Sequence, residues 1–196
     1  MLKYMGAVAL ALAVQCLGVY QLLLFVFTRL NPLRFLKKFF PVMMFAFTTA
    51  TSNATIPLSI DTLDKKVGVS KKISSFTIPL GATINMDGTS IMQGVAVIFI
   101  AQVYGMDLTP AQLLTVIATA MIASIGTAGI PSVGLIMLAM VLTSVGLPTE
   151  GIALIMGIDR ILDMLRTAVN ITGDAICTTI VSHQNKELDR NIFNRD

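Results

Sequence analysis

Apolar and polar positions divide the chain into long hydrophobic stretches separated by short basic or polar connectors. Residues 4–28 are apolar almost throughout, and about 20 such residues suffice to cross a hydrocarbon core. That span ends in "TRLNPLRFLKK", which assigns its C-terminal side to the cytoplasm by the positive-inside bias. Residues 39–64 are apolar at both ends and polar in the middle. A single crossing there would put Lys65, Lys66, Lys71 and Lys72 outside, whereas a re-entrant hairpin with "TATSNAT" at its tip keeps both basic flanks on one side. Residues 73–103 read as an outward-crossing helix interrupted at "NMDGT". Residues 110–147 carry small and helix-breaking residues at their centre, "SIGTAGIPS". The flanking connectors "YGMDLTPAQ" and "SVGLPTEG" contain neither Lys nor Arg, so this segment reads as a second hairpin, entering from outside. Residues 152–181 form the last helix, returning to a basic tail, 183–196, on the cytoplasmic side.

The two halves echo each other. "TSNATIP" is followed by "NMDGT", and "IGTAGIP" by "NITGD". Each half is thus expected to hold a hairpin with a small, polar tip, then a helix broken at Asn-x-x-Gly. Inverted repeats whose interrupted helices meet near the bilayer midplane are a transporter arrangement. Irregular backbone at that depth persists only where protein buries it or a polar cavity borders it. The fold class expected is therefore all-α integral membrane: an inverted repeat of two re-entrant helical hairpins plus discontinuous transmembrane helices.

Composition agrees with this. Hydrophobic residues make up 55% of the 196 and charged residues 13%, against about 25% charged in soluble domains. Mean hydropathy is +0.79. A net charge of +3 is too small to point to nucleic acid, and the cations gather at Arg29–Lys38, Lys65–Lys72 and Lys186–Arg195 as topology signals do. Cys16 and Cys177 have no partner at metal-ligand spacing and read as lipid- or core-facing, and His183 as solvated. The run Tyr4–Phe27 is too long for the roughly 7–15-residue core of a cleavable leader, and "AVQC" lacks the small residue that a lipoprotein site places before its Cys.

The chemistry concentrates on the last helix. Asp163, Arg166, Thr167, Asn170 and Asp174 are offset by 0, 3, 4, 7 and 11, so at 3.6 residues per turn they share one face. Asp159 extends that face one turn back. A charge at mid-membrane costs roughly 2.5–3.5 kcal/mol on insertion scales, so such a stripe needs a compensating role. It can be a self-satisfied ladder holding helices together, Asp163 against Arg166. It can also be a binding site, with the planar Arg166 fork for a carboxylate, Asp163 for an ammonium, and Thr167 and Asn170 between them. Asp87 can cap the helix resuming after the break. With Asp174 it can also supply charge to a small cation bound by carbonyls that the break frees around Gly81–Asn85; the two roles are compatible.

On "LGATINMDGT", "ASIGTAGIPS", "AMVLTSVGLP" and "DRILDMLRTAVNITGDA" the sequence resembles the dicarboxylate/amino acid:cation symporters, the glutamate transporter family, over nearly its whole length. The resemblance implies a trimer in which a mobile transport domain carries substrate past a static scaffold by an elevator movement. It equates this chain with the C-terminal part of that transport domain, without the scaffold helices and one transport-domain helix; such a piece is not expected to transport alone. It also implies that Arg166 grips a side-chain carboxylate, Asp163 the amino group and Asn170 the amino and carboxylate region, with Thr167 lining the site. Ser52 and the backbone of Ile130 and Gly134 would hold the main carboxylate, and Thr89 the side-chain end. One sodium site would use carbonyls of Gly81, Asn85 and Asn170 with the Asp174 carboxylate. A second would use carbonyls of Thr83, Ser124, Ile125 and Thr127, and a third the side chains of Asn85 and Asp87 with ligands from the absent helix. Gly126, Gly129 and Pro131 would let the second hairpin act as an extracellular gate.

Family members for glutamate or aspartate usually place a further Arg near the substrate, where this chain has Ala50 and Met164; Asn53 replaces a tip serine, and Arg160 is a possible substitute one turn from Asp163. The leading reading is sodium-coupled symport of an acidic amino acid in a plasma or inner membrane. The alternatives are a proton- or sodium-coupled carrier of C4-dicarboxylates, neutral amino acids or cystine, a channel, and, remotely, an intramembrane aspartyl protease using Asp87 and Asp174. Against the protease stands the missing Gly-x-Gly-Asp pattern.

Overall fold

A computed structural model describes residues 1–125 and 131–195. Among these residues the regular structure is helical apart from one antiparallel bridge, Val69 to Leu188. The first span is one helical stretch, Leu2–Thr28, made of α1 (Leu2–Ala13), a π turn (Val14–Val19) and α2 (Tyr20–Thr28). Its buried stripe, Tyr4, Val8, Leu12, Cys16, Tyr20 and Leu24, repeats every fourth residue. An α-helix turning every 3.6 residues would rotate such a stripe off its contact, and a π turn absorbs the extra residue. This stripe faces α6 and α9, while Leu10, Leu17 and Leu22 on the other side are exposed. Arg29 ends the helix in the left-handed region (φ 57).

The first hairpin is α3 (Pro32–Thr49) and α4 (Ser52–Thr62), the latter running into a π turn (Leu63–Val67). It begins at Pro32 rather than at 39. Asn31 accepts hydrogen bonds from the amides of Leu33 and Arg34, with Pro32 at the first helical position, a strong helix start that precedes the apolar run. Ala50 turns the tip with φ 50. At the open end, Lys38 Nζ donates to the Lys66 carbonyl (3.0 Å).

α5 (Lys71–Ile84) and α6 (Asp87–Val103) are separated by Asn85 and Met86, whose backbone leaves the helical region. α7 (Pro110–Ser124) opens with a capping box between Thr109 and Gln112. It packs against α8 (Val133–Ser144), and Gln112 Nε2 closes their open end onto the Val145 carbonyl (3.2 Å). The expected gate residues Gly126 and Gly129 lie outside the described residues.

α9 (Ile152–Gln184) corrects the sequence reading. Its 33 residues form one uninterrupted helix through "NITGD", where a break mirroring NMDGT was expected. A lone glycine without proline costs a helix only about 1 kcal/mol, and Thr172 returns its hydroxyl to the Ala168 carbonyl (2.7 Å), as threonine does inside a continuous helix. Gly173 is there for close approach: a Cβ would stand 2.5 Å from Tyr20 Oη and 2.7 Å from Asn85 Nδ2.

The tail folds back. α10 (Arg190–Asn194) buries Phe193 beneath Lys38, whose Nζ lies 5.6 Å from the ring centroid. Arg190 Nη2 donates to the Thr28 carbonyl (2.6 Å), and the Asp189 amide to the Gly68 carbonyl (2.8 Å). The three basic clusters are thereby gathered at one end of the molecule. His183 is half-buried rather than fully solvated.

Candidate functional site

The polar face of α9 is buried along its length: Asp159, Asp163, Arg166, Thr167, Asn170 and Asp174 all lie inside. Arg166, 1% exposed, divides its fork between two carboxylates. Nη1 donates to Asp159 Oδ1 at 2.7 Å and Nη2 to Asp163 Oδ1 at 2.9 Å. The helix repeat sets this up, because residues three and seven positions earlier lie on the arginine's own face. Breaking a buried pair from one side costs about 3–5 kcal/mol because the remaining charge is stranded, so Arg166 is held in place rather than free to wander.

Three neighbouring elements converge on it. Asp163 Oδ2 accepts from the Ser132 amide (3.0 Å), tying the approach to α8 onto α9. A Cβ on Gly134 would lie 3.0 Å from Thr89 Cγ2 and 3.7 Å from Arg166 Nη2, so a side chain there would press on Thr89 and stand against the guanidinium. Gln93 Nε2 donates to the Gly134 carbonyl (3.3 Å). Thr167 spends its hydroxyl on the Asp163 carbonyl (2.9 Å). Asn170 accepts at Oδ1 from the Gly88 amide (2.7 Å), and its Nδ2 approaches Met86 Sδ (3.3 Å). Ser52 is buried at the start of α4, which packs on α9, but no described hydrogen bond joins it to Asp163, Arg166 or Asn170. Ile130 lies outside the described residues. Arg160 is exposed and stands off the polar face, so it does not supply the extra cation.

A second polar group forms where the α5–α6 interruption meets α9. Asn85 Nδ2 donates to Asp174 Oδ1 (2.8 Å) and to the Asn170 carbonyl (3.2 Å). A Cβ on Gly81 would fall 2.6 Å from Asp174 Oδ1. Gly81, Asn85, Asn170 and Asp174 are thus brought together, beside a groove of about 260 Å³ that Cys177 also lines. Cys177 is exposed there, whereas Cys16 is buried.

Asp87 departs from its expected capping role. It is the first residue of α6, and no side-chain cap bond forms at that terminus. Its Oδ2 instead accepts from Gln15 Nε2 (3.0 Å) and Tyr20 Oη (2.9 Å). The carboxylate still sits favourably in the first turn of a helix, but it faces the first span. Gln15 and Tyr20 were not singled out from sequence; the available signal was an amide and a phenol inside an otherwise apolar helix. Asp159 as joint holder of Arg166 was readable in the seven-residue spacing. Of the other expected cation set, the described members lie as follows. Ser124 is buried and bonded to Ser90 (2.8 Å), Ile125 is exposed, and Thr83 is exposed with its hydroxyl on the Pro79 carbonyl (3.1 Å). Thr127 lies outside the described residues.

Four carboxylates, Asp87, Asp159, Asp163 and Asp174, thus share a buried region with one guanidinium. Such a site favours a ligand bearing both charges and cations to accompany it. The chain is 44% identical over 187 residues to excitatory amino acid transporter 2 of Homo sapiens, covering 95% of this chain and 33% of that protein. It is 44% identical over 183 residues to an excitatory amino acid transporter of Caenorhabditis elegans, covering 93% and 36% respectively. With excitatory amino acid transporter 2 of Mus musculus it shares 47% over 169 residues, 86% of this chain and 30% of the relative. The chain therefore spans about a third of the length of the curated relatives it matches. These relatives are membrane transporters, not enzymes. Residues 1–184 match the family model for the sodium:dicarboxylate symporters, and the chain, buried polar helix included, belongs to that family.

Proposed function

We propose that this chain forms the substrate- and cation-binding part of a sodium-coupled symporter for an acidic amino acid. The observation that carries the reading is Arg166, buried and divided between Asp159 and Asp163 beside Thr89 and Gly134. Asp159 holds one arm of the fork. The other arm and Asp163 form a separable pair: a substrate carboxylate takes the Asp163 position on Nη2, and the released Asp163 accepts the substrate ammonium. Each exchange replaces one charged hydrogen bond with another, so neither charge is stranded. Asn170 and Thr167 line the site, with Ser52 and the backbone of Ile130 and Gly134 taking the main carboxylate.

Adding an anion to a region already rich in carboxylates is unfavourable without cations, which gives sodium coupling its physical reason. The Gly81–Asn85–Asn170–Asp174 group, whose oxygens suit a hard cation, takes one ion. Asp87 with Asn85 contributes to another, and Thr83, Ser124, Ile125 and Thr127 supply a further set as the second hairpin closes. Both hairpins are re-entrant in this reading, which the short α4 (11 residues) and α8 (12 residues) support, each about 16–18 Å against a ~30 Å hydrocarbon core. The C-terminus is cytoplasmic, and the longer protein is a trimer that moves this unit past a scaffold as an elevator.

Calorimetric titration of the purified protein carrying this chain, with and without sodium, tests the reading. Aspartate or glutamate should bind only with sodium. Arg166→Lys, which keeps the charge but loses the fork, should weaken binding by at least about 100-fold, the effect of breaking a buried charge pair. Unchanged affinity in that variant overturns the assignment, and succinate binding as tightly as aspartate redirects it to C4-dicarboxylates. Asp174→Asn should raise the sodium concentration required; an identical sodium titration removes Asp174 from the cation site.

A further inference from the structure

The end of the molecule where the first hairpin meets the tail carries a second concave site. A cavity of about 300 Å³ is lined, among the described residues, by Arg34, Lys37, Lys38 and Lys66, all cations. They come from two segments distant in sequence, the first turns of α3 and the π turn that ends the first hairpin. The Lys38 ammonium has a structural task. It donates to the carbonyls of Lys66 (3.0 Å), Ile192 (3.3 Å) and Arg195 (2.7 Å), forming the floor where hairpin and tail meet. Arg34 braces the same floor through Asn194 (3.3 Å to Oδ1). Lys37 and Lys66 are exposed, and neither ammonium is in an ion pair with any described residue. Two acids of the flanking segments are engaged elsewhere: Asp61 pairs with Lys65, and Asp189 caps α10 through the Asn191 amide (2.8 Å). On the same helix, Leu33 and Phe40 are 76% and 56% exposed, so apolar surface adjoins the cationic cavity.

Topology signals alone require cations on one side of the membrane, but not a shared concavity floored by carbonyl-bonded Lys38. We propose that this cavity binds a phosphate group, the chemistry common to an anionic phospholipid headgroup and to free phosphate, with Lys37 and Lys66 as its exposed ligands. Two exposed ammonium groups, Lys37 and Lys66, lining one small volume suit the oxygens of a phosphate. A headgroup bound there would tie the two arms of the first hairpin together at the membrane surface and stabilise the folded protein by mass action.

The test is thermal unfolding of the purified protein in a neutral detergent with added phosphatidylglycerol, phosphatidylcholine or inorganic phosphate. Phosphatidylglycerol should raise the midpoint saturably and phosphatidylcholine should not. The double variant Lys37→Gln/Lys66→Gln should weaken the apparent affinity by roughly fivefold per lysine, while Lys37→Arg/Lys66→Arg retains it. Both pairs of side chains are exposed, and an unchanged ligand-free midpoint verifies that the variants fold. A response to phosphatidylglycerol alone identifies the lipid as the source, and an equal response to inorganic phosphate identifies the free anion; either supports the site. No response to either ligand, or equal responses in wild type and the Gln variant, overturns it.

Discussion

Gly173 shows how one residue can be misread from sequence and explained by packing. "NITGD" resembles a helix break because glycine and asparagine are helix-averse, yet α9 runs through it intact. The position is glycine because the Tyr20 ring and the Asn85 amide press on the helix where a side chain would begin. Gly173→Ala should therefore destabilise the protein by about 1–3 kcal/mol, the usual effect of overpacking. It should also disturb Tyr20 and Asn85, which contact Asp87 and Asp174. Gly157→Ala is the control on the same helix: nothing lies within 4 Å of its Cβ position, and alanine there should be neutral or stabilising by up to about 1 kcal/mol. Thermal unfolding of both variants checks this, and equal midpoints would show that Gly173 is not packed as described. The Arg166 pairing was legible from spacing alone because an isolated helix fixes its own faces. The Gln15 and Tyr20 contacts to Asp87 were not, because they depend on how the first span docks against α6.

At the scale of elements, helix starts and interruptions were readable wherever the sequence carries local chemistry for them. Thr109-Pro110 and Asn85-Met86 mark boundaries where the apolar pattern placed them, whereas Asn31-Pro32 starts α3 ahead of the expected 39 because capping chemistry, not hydrophobicity, sets that start. The docking of the tail had no such signal. It rests on long-range contacts: Phe193 against Lys38, the Val69–Leu188 bridge, and Glu187 beside Ser70 and Lys72. The Ser70 contact and the Lys72 ammonium hold the Glu187 carboxyl below its ordinary value of 4.5. A carboxyl whose folded-state value is lowered supports the docked form fully above its ordinary value, and that support is lost as pH falls through the lowered value. Protection of the Asp189 amide, which donates to the Gly68 carbonyl, should thus decline in wild type as pH drops below about 4.5. In Glu187→Gln it should be weaker at neutral pH and should lack this acid-side step. Hydrogen-exchange protection factors measure both, and matching pH profiles would remove Glu187 from the latch.

The whole molecule has two chemically different ends, and this asymmetry decides how it sits in a bilayer. At one end, Lys66, Arg34, Lys38, Arg190 and the tail are tied together by direct hydrogen bonds. At the hairpin mouth formed by α7 and α8, the link between Gln112 and Val145 carries no formal charge. A single crossing by residues 39–64 would force Lys65–Lys72 away from the tail, yet the Ser70 amide donates to the Glu187 carbonyl (3.2 Å) and Val69 pairs with Leu188. Those contacts cannot coexist with a bilayer between the two segments, since backbone groups bonded to each other must share one side. Single cysteines placed at Lys65 and at Asn185, both exposed, in a background with Cys16 and Cys177 replaced by serine, should react with a membrane-impermeant maleimide from the same face, the cytoplasmic one by the positive-inside bias. A cysteine at Gln112, at the mouth of the second hairpin, should be labelled from the opposite face. Labelling of Lys65 and Asn185 positions from opposite faces would break the first hairpin apart, and with it the packing of α3 and α4 on α9.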